Sequence, residues 1–292
     1  MGLRSLCIAV ILTVALAACG QPEQASAPAV AKPPAPAVSA GAEPAGPSLA
    51  DIAAGEHRSA EERARDEYRH PVETLEFFGI EPTMTVVEIW PSGGWYTAII
   101  APYLNEQGQY IAAHWDPESD TEFVRRGVQA FTDKLAERPD LYGNAKMGVL
   151  MPPEKWEFAP DDSVDMIVTF RNIHNWMPRG YTEGMFAQFY KALKPGGILG
   201  VVEHRGNPDV EQDPKAASGY VNEDYAIALA EAAGFELAGK SEINANPKDT
   251  KDYDTGVWTL PPTLRKKDED RDKYLAIGES DRFTLRFRKP TN

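Results

Sequence analysis

Two short stretches carry groups suited to chemistry. In Val86–Thr97 the turn Pro91-Ser92-Gly93-Gly94 follows a β-branched apolar run that contains Glu88. An apolar helical pattern of Trp95, Ile99, Ile100, Tyr103 and Leu104 comes next. A glycine turn between a strand and a helix lets backbone approach a ligand, and the helix N-terminus turns free N–H groups toward it. In Asp161–Trp176 an apolar run ends in Arg171-Asn172-Ile173-His174-Asn175. Asn172 and His174 have the chemistry to position a nucleophile or to take its proton, since imidazole titrates near neutrality. A metal site is a second chemistry, because His70, His114, His174 and His204 fall near element ends together with Glu203 and Asp116. No local His-x-x-x-His pair reinforces that option.

The elements that must position these groups follow from periodicity and punctuation. Ser59-Ala60-Glu61-Glu62 is a capping box and predicts a helix over 60–69. Its polar end, Arg65 to His70, is either a solvated face or a lid over the site. Pro71 restarts a helix to Phe78, and Gly79 stops it. Strands are predicted at 86–89, 110–113, 146–150, 164–170, 198–202, 235–243 and 282–287. Helices are predicted at 118–137, 181–193 and, after Asn222 as cap, up to Ala233. The polar loop 244–273 is long for a compact domain, and its Gly-Val-Trp-Thr-Leu-Pro-Pro segment is placed to fold over a pocket.

The first stretch resembles motif I of class I S-adenosylmethionine (SAM)-dependent methyltransferases, an acid followed by x-Gly-x-Gly-x-Gly. Glu88 matches the acid and Gly94 the last glycine, while Trp90 and Ser92 stand where the first two glycines fall. The Trp90 side chain is expected to occupy space that the cofactor's amino-acid end needs. Leu193-Lys194-Pro195-Gly196-Gly197, followed by Ile198–Glu203, resembles the turn into the fifth strand of that fold. Arg-Asn-x-His-Asn-Trp, Glu-x-Trp-Pro and Gly-Glu-Ser-Asp-Arg are similar to segments of a little-characterised bacterial family of methyltransferases that are often exported.

The resemblance spans about residues 56–290. It implies a Rossmann-like α/β fold: a seven-stranded methyltransferase sheet with helices on both faces and the last strand antiparallel. It implies SAM as cofactor, held by Glu88, Trp90, Ser92, Gly93, Gly94, Asp116 and Arg171. Asp116 takes the part of the acid that binds ribose hydroxyls after the second strand. The residues after the fourth strand face the methyl group, which makes His174 and Asn172 the catalytic candidates. The acceptor is a small molecule or an envelope component. Two other functions remain open: an exported, degenerate methyltransferase fold acting as a binding module, and a His/Asp/Glu metal-dependent enzyme on the same fold.

The net charge of -14 disfavours nucleic acid and anionic lipid as partners. Arg4 and the apolar stretch Ile8–Leu16 read as the start of a signal peptide over 1–18, too short to span a membrane as a mature helix. Leu16-Ala17-Ala18-Cys19 resembles a lipoprotein signal that leaves Cys19 as an acylated N-terminus. With Cys7 removed and Cys19 acylated, the mature domain has no free thiol, as suits an oxidising compartment. Residues 19–50 are rich in Ala and Pro and read as a tether, and 51–292 as the methyltransferase-like domain. The expected location is the cell envelope, facing the periplasm, with membrane contact only through lipidated Cys19. Nothing in the sequence sets an oligomeric state. Replacing Cys19 with Ala is expected to move the protein from the membrane to the soluble fraction. Fractionation and immunoblotting check this, and a variant that stays with membranes places the anchor elsewhere.

Overall fold

The computed structural model describes residues 46–291. The expected signal peptide and most of the expected tether therefore lie outside the described residues. The fold begins earlier than position 51. Ser48 and Asp51 form a capping box for helix α1 (Leu49–Ala54), and Leu49 is already buried. The expected helix over 60–69 is two short ones, α2 (Ala60–Arg63) and α3 (Asp66–Arg69). Tertiary contacts impose the break: buried Arg58 grips both carboxylate oxygens of Asp66 at 2.7 and 2.8 Å, fixing where α3 starts. Helix α4 (Pro71–Phe78) ends at Gly79 in the left-handed conformation, as its sequence predicts.

The sheet is built from β1 (Thr85–Ile89), β2 (Gln109–His114), β3 (Lys146–Val149), β4 (Val164–Phe170) and β5 (Leu193–His204). These alternate with α5 (Thr97–Leu104), α6 (Glu122–Glu137), α7 (Pro139–Tyr142), α8 (Ile173–Trp176) and α9 (Thr182–Ala192). Helix α10 (Glu223–Ala232), β6 (Glu236–Ser241), α11 (Arg271–Ile277) and β7 (Arg282–Arg288) complete the fold. The strand order is β3-β2-β1-β4-β5-β7-β6. β1 to β5 run parallel, and β7 lies antiparallel between β5 and β6. This is the seven-stranded Rossmann-like methyltransferase sheet that the resemblance implies.

Parallel strands must be covered on both faces, and alternate residues of β1 and β4 feed two cores. Val87, Ile89 and Ile167 join Met185, Phe186 and Phe189 of α9. Val86, Met166 and Val168 join Phe78 of α4 and Ile99 and Ile100 of α5. Among the described residues no helix is long and apolar enough to cross a membrane.

Gly200 in β5 shows how tightly the second face is packed. A Cβ there would lie 2.6 Å from Cδ2 of fully buried Phe78. Gly200→Val is therefore expected to destabilise the domain by about 1–3 kcal/mol through overpacking, measured as a shift in urea midpoint.

Candidate functional site

Parallel α/β sheets bind ligands beyond the carboxyl ends of their strands, where the order reverses. Here β1 and β4 are neighbours at that point. A cavity of about 700 Å³ opens there, lined by Glu88, Trp90, Ser92, Trp115, Arg171, Asn172 and His174 among others. Ligand pockets typically occupy about 300–1,000 Å³.

The turn after β1 is the most strained backbone in the site. Trp90, Ser92 and Gly94 take φ values of 47°, 56° and 75°. The first two are therefore glycine-like conformations held by non-glycine residues, each costing on the order of 1–3 kcal/mol. Several bonds hold the turn in place. Trp90 N–H donates to Ala113 O at 2.9 Å, and Gly94 N–H to Pro91 O at 2.9 Å. Lys134 Nζ of α6 donates to Gly93 O at 3.1 Å and Gly94 O at 3.2 Å. His114 sits behind the turn. Its Nδ1 accepts from Trp115 N at 2.7 Å, and its Nε2 faces Ser92 O at 3.4 Å. Burial pushes His114 down to about 4, so the ring is neutral at pH 7.

Trp90 does not plug the cavity. Its indole Nε1 donates to Leu150 O at 2.8 Å, and the ring packs edge-on against Trp115 and Trp176. The indole thus becomes part of an aromatic wall. Tyr96, stacked on Phe170 at 3.5 Å, continues that wall.

Two of the expected cofactor contacts do not line the described cavities. Gly94 lines no described cavity; a Cβ there would meet Phe131 at 3.1 Å, so glycine is needed for the positive φ and for α6 packing. Asp116 also stands outside. β2 ends at His114, Trp115 turns into the cavity, and the Asp116 carboxylate pairs with Lys155 at 2.8 Å. Gly93 faces a second, adjoining cavity instead of the first.

Glu88 lines the first cavity but is tied inward. Its Oε2 accepts from Thr97 Oγ1 and Tyr110 OH, both at 2.7 Å, which joins β1 to α5 and β2. Asn172 donates Nδ2–H to Ile89 O at 2.8 Å and to Thr169 Oγ1 at 3.2 Å, so only its amide oxygen remains to meet a ligand. His174 stands within α8, only 8% exposed, and its Nδ1 meets Oε1 of fully buried Glu203 at 3.0 Å. A carboxylate on Nδ1 fixes the tautomer that leaves Nε2 as the acceptor. Of the two acids named with the histidines as a metal set, Glu203 is bonded to this ring and Asp116 is paired with Lys155. His174, Glu203 and His204 also each offer an atom within 4.8 Å of the others, a possible metal constellation.

Sequence reasoning singled out Arg171 and the run 65–70, but missed Arg282 and the cluster that the four arginines form. Arg65, Arg69, Arg171 and Arg282 all line the second cavity, which also takes Trp258 and Pro261 from the long loop. Arg65 and Arg69 of the run 65–70 and the Gly-Val-Trp-Thr-Leu-Pro-Pro segment thus line one cavity. Three of these guanidiniums converge on Glu279. The Arg-Asp-x-Tyr-Arg run and Gly-Glu-Ser-Asp-Arg carried the signal, but no local rule joins residues about 210 apart.

The seven-stranded sheet order is that of the Rossmann-like methyltransferase fold. The chain is 17% identical to a SAM-dependent methyltransferase from Aquifex aeolicus, with a TM-score of 0.51 over 77% of this chain and 92% of that one. It is 15% identical to the [4+2]-cyclase SpnF, with a TM-score of 0.54 over 84% and 92%. It is also 15% identical to Haemonchus contortus phosphoethanolamine N-methyltransferase 2 in complex with S-adenosyl-L-methionine, with a TM-score of 0.52 over 76% of this chain and 53% of that one. At these identities the likeness is one of fold. No family model matches the sequence, and no curated protein sequence does.

Glu88 generates a pH prediction. Burial raises its carboxyl from 4.5 to about 7, against the bonds from Tyr110 and Thr97. A carboxyl raised on folding contributes stability that is present below about 4.5 and lost as pH rises through about 7. Compared with Glu88→Gln, the wild type is expected to lose on the order of 3 kcal/mol between these pH values. Urea unfolding of both proteins at pH 4.5 and 8 measures it. A difference that does not change with pH refutes the protonated, buried carboxyl.

Proposed function

We propose that the protein is a SAM-dependent methyltransferase that acts on a small molecule or an envelope component. The observation that carries this reading is the Glu203–His174 pair at 3.0 Å on the rim of a cavity closed by the β1 turn. The fit of SAM rests on two features of this chain. The turn keeps glycine-like φ angles without two of its glycines, and the aromatic wall of Trp90, Tyr96 and Trp115 offers faces to a nucleobase. When bound, the cofactor supplies a methyl group already activated on sulfur.

The chain's own residues then align and deprotonate the acceptor. His174 Nε2 takes the proton from an acceptor hydroxyl or amine. Glu203 holds Nδ1–H and stabilises the imidazolium that forms. The Asn172 amide oxygen is free to accept a hydrogen bond from the acceptor, while its N–H groups brace β4 against β1. We further propose that this chemistry takes place at the cell envelope, on a domain anchored through lipidated Cys19.

A second reading is favoured by one observation, the grouping of His174, Glu203 and His204. In that reading the three bind a divalent metal and the reaction is metal-assisted. Metal analysis of the purified protein separates the two. Stoichiometric metal lost in His204→Ala supports the second reading, and its absence alongside SAM binding supports the first. Lack of both ligands leaves the binding-module reading.

Calorimetry with SAM is expected to show saturable binding, displaced by S-adenosylhomocysteine. With radiolabelled SAM and fractionated cell extract as the source of acceptor, His174→Ala is expected to lower methyl transfer about 10²- to 10⁴-fold while SAM binding persists. Undiminished transfer by the folded variant removes His174 from the mechanism.

A further inference from the structure

The second cavity, about 430 Å³, adjoins the first, and the two share Ser92, Trp95, Arg171 and His204. Its floor is strongly cationic, although the whole chain carries -14. Arg65, Arg69 and Arg282 pair with one buried carboxylate, Glu279, and Arg171 lines the same cavity. The acid that lines the cavity itself, Glu62, is already paired with Lys134 at 3.2 Å. Arg69 and Arg282 are only 3% and 2% exposed, so their charges cannot be relieved by solvent.

Several donors of this cluster have no partner. Arg282 Nε and Arg65 Nη2 are buried without a hydrogen bond. Among the described residues the Arg171 side chain makes neither a hydrogen bond nor an ion pair, although burial pushes its guanidinium down to about 10, helped by Arg282. For Arg69, burial and then Arg171 push in the same direction. At Glu279, burial alone would raise the carboxyl, but the surrounding guanidiniums outweigh it and hold it well below the usual range. One acid among four guanidiniums is short of negative charge, and a buried donor without an acceptor is costly.

The geometry points to an anion-binding subsite for the methyl acceptor, and we propose that the acceptor carries a phosphate monoester held by Arg65, Arg171 and Arg282. Planar guanidinium forks match phosphate oxygens, and a dianion offsets most of the surplus charge. The amino-acid end of SAM does not, because it carries an ammonium with its carboxylate and adds no net charge. His204 lines both cavities, and its ring lies 5.3 Å from that of His174. A molecule with its phosphate among the arginines therefore extends past His204 toward the His174 base. This inference rests on the methyltransferase reading only for the word acceptor; the anion subsite stands on its own.

The test is titration calorimetry at low salt with the soluble monoester glycerol 3-phosphate, and sedimentation with phosphatidic acid vesicles against pure phosphatidylcholine vesicles. Saturable binding in either arm, weakened about tenfold to a hundredfold in Arg171→Gln and reduced by added salt, is expected. The arm that binds identifies a soluble or a lipid source of the phosphate. The Arg171→Gln melting temperature is expected to equal or exceed that of wild type, because the side chain bonds to nothing in the fold and its removal relieves surplus positive charge. Should that variant fail to fold, Arg65→Gln, at a part-exposed position, serves in its place. No phosphate binding by the wild type in either arm, or equal affinity in the folded variant, overturns the proposal. SAM titration of the same samples is a separate readout, so a failed methyltransferase reading does not masquerade as a failed anion subsite.

Discussion

The site depends on one constraint, the reversal of the chain after Ile89. To end a buried strand and start a helix within a few residues, the backbone must visit the left-handed region repeatedly. It does so at Trp90, Ser92 and Gly94. Only the last of these is a glycine. The strain at the other two persists because surrounding contacts over-determine it. The Trp90 backbone remains in the sheet ladder through Ala113, its indole is bound to Leu150, and Lys134 caps the turn's carbonyls. His114 backs Ser92 from beneath. The turn is thus held by β2, α6 and the β3 end together.

This arrangement explains the departure from a glycine-rich turn. A large side chain is tolerated at the first glycine position only if it leaves the loop's concave side. The Trp90 ring does so, turning to Leu150 and packing between Trp115 and Trp176. What the loop loses in openness, the cavity gains in aromatic surface. Glu88 has a comparable role. Its carboxyl bonds to Thr97 and Tyr110 behind the turn and so ties β1 to α5 and β2.

The two cavities divide polar chemistry between them. The first holds the imidazole–carboxylate pair, with Glu203 buried beneath His174. The second gathers arginines from the entry helices, the β4 end and the start of β7, and is partly roofed by Trp258 and Pro261. A fold shared with proteins named for different reactions, a methyl transfer and a [4+2] cyclisation, does not choose between activities. These local groups must do so.

By itself the sequence determined the sheet and its order of elements. β-branched runs such as Val164–Phe170 are predicted to their observed ends because burial on both faces demands them, and Gly79 stops α4 because only φ > 0 fits there. It also marked His174 and Asn172, since residues directly after a central strand must sit at the switch point. Tertiary structure decided the rest. It broke the helix over 60–69 through Arg58, moved Asp116 out onto Lys155, and assigned Gly94 to packing against Phe131. It alone brought Arg65, Arg69 and Arg282 around Glu279. Periodicity reports which face of an element is buried, a local property. Which charged side chains meet across distant elements depends on how those faces dock, and no local pattern encodes that.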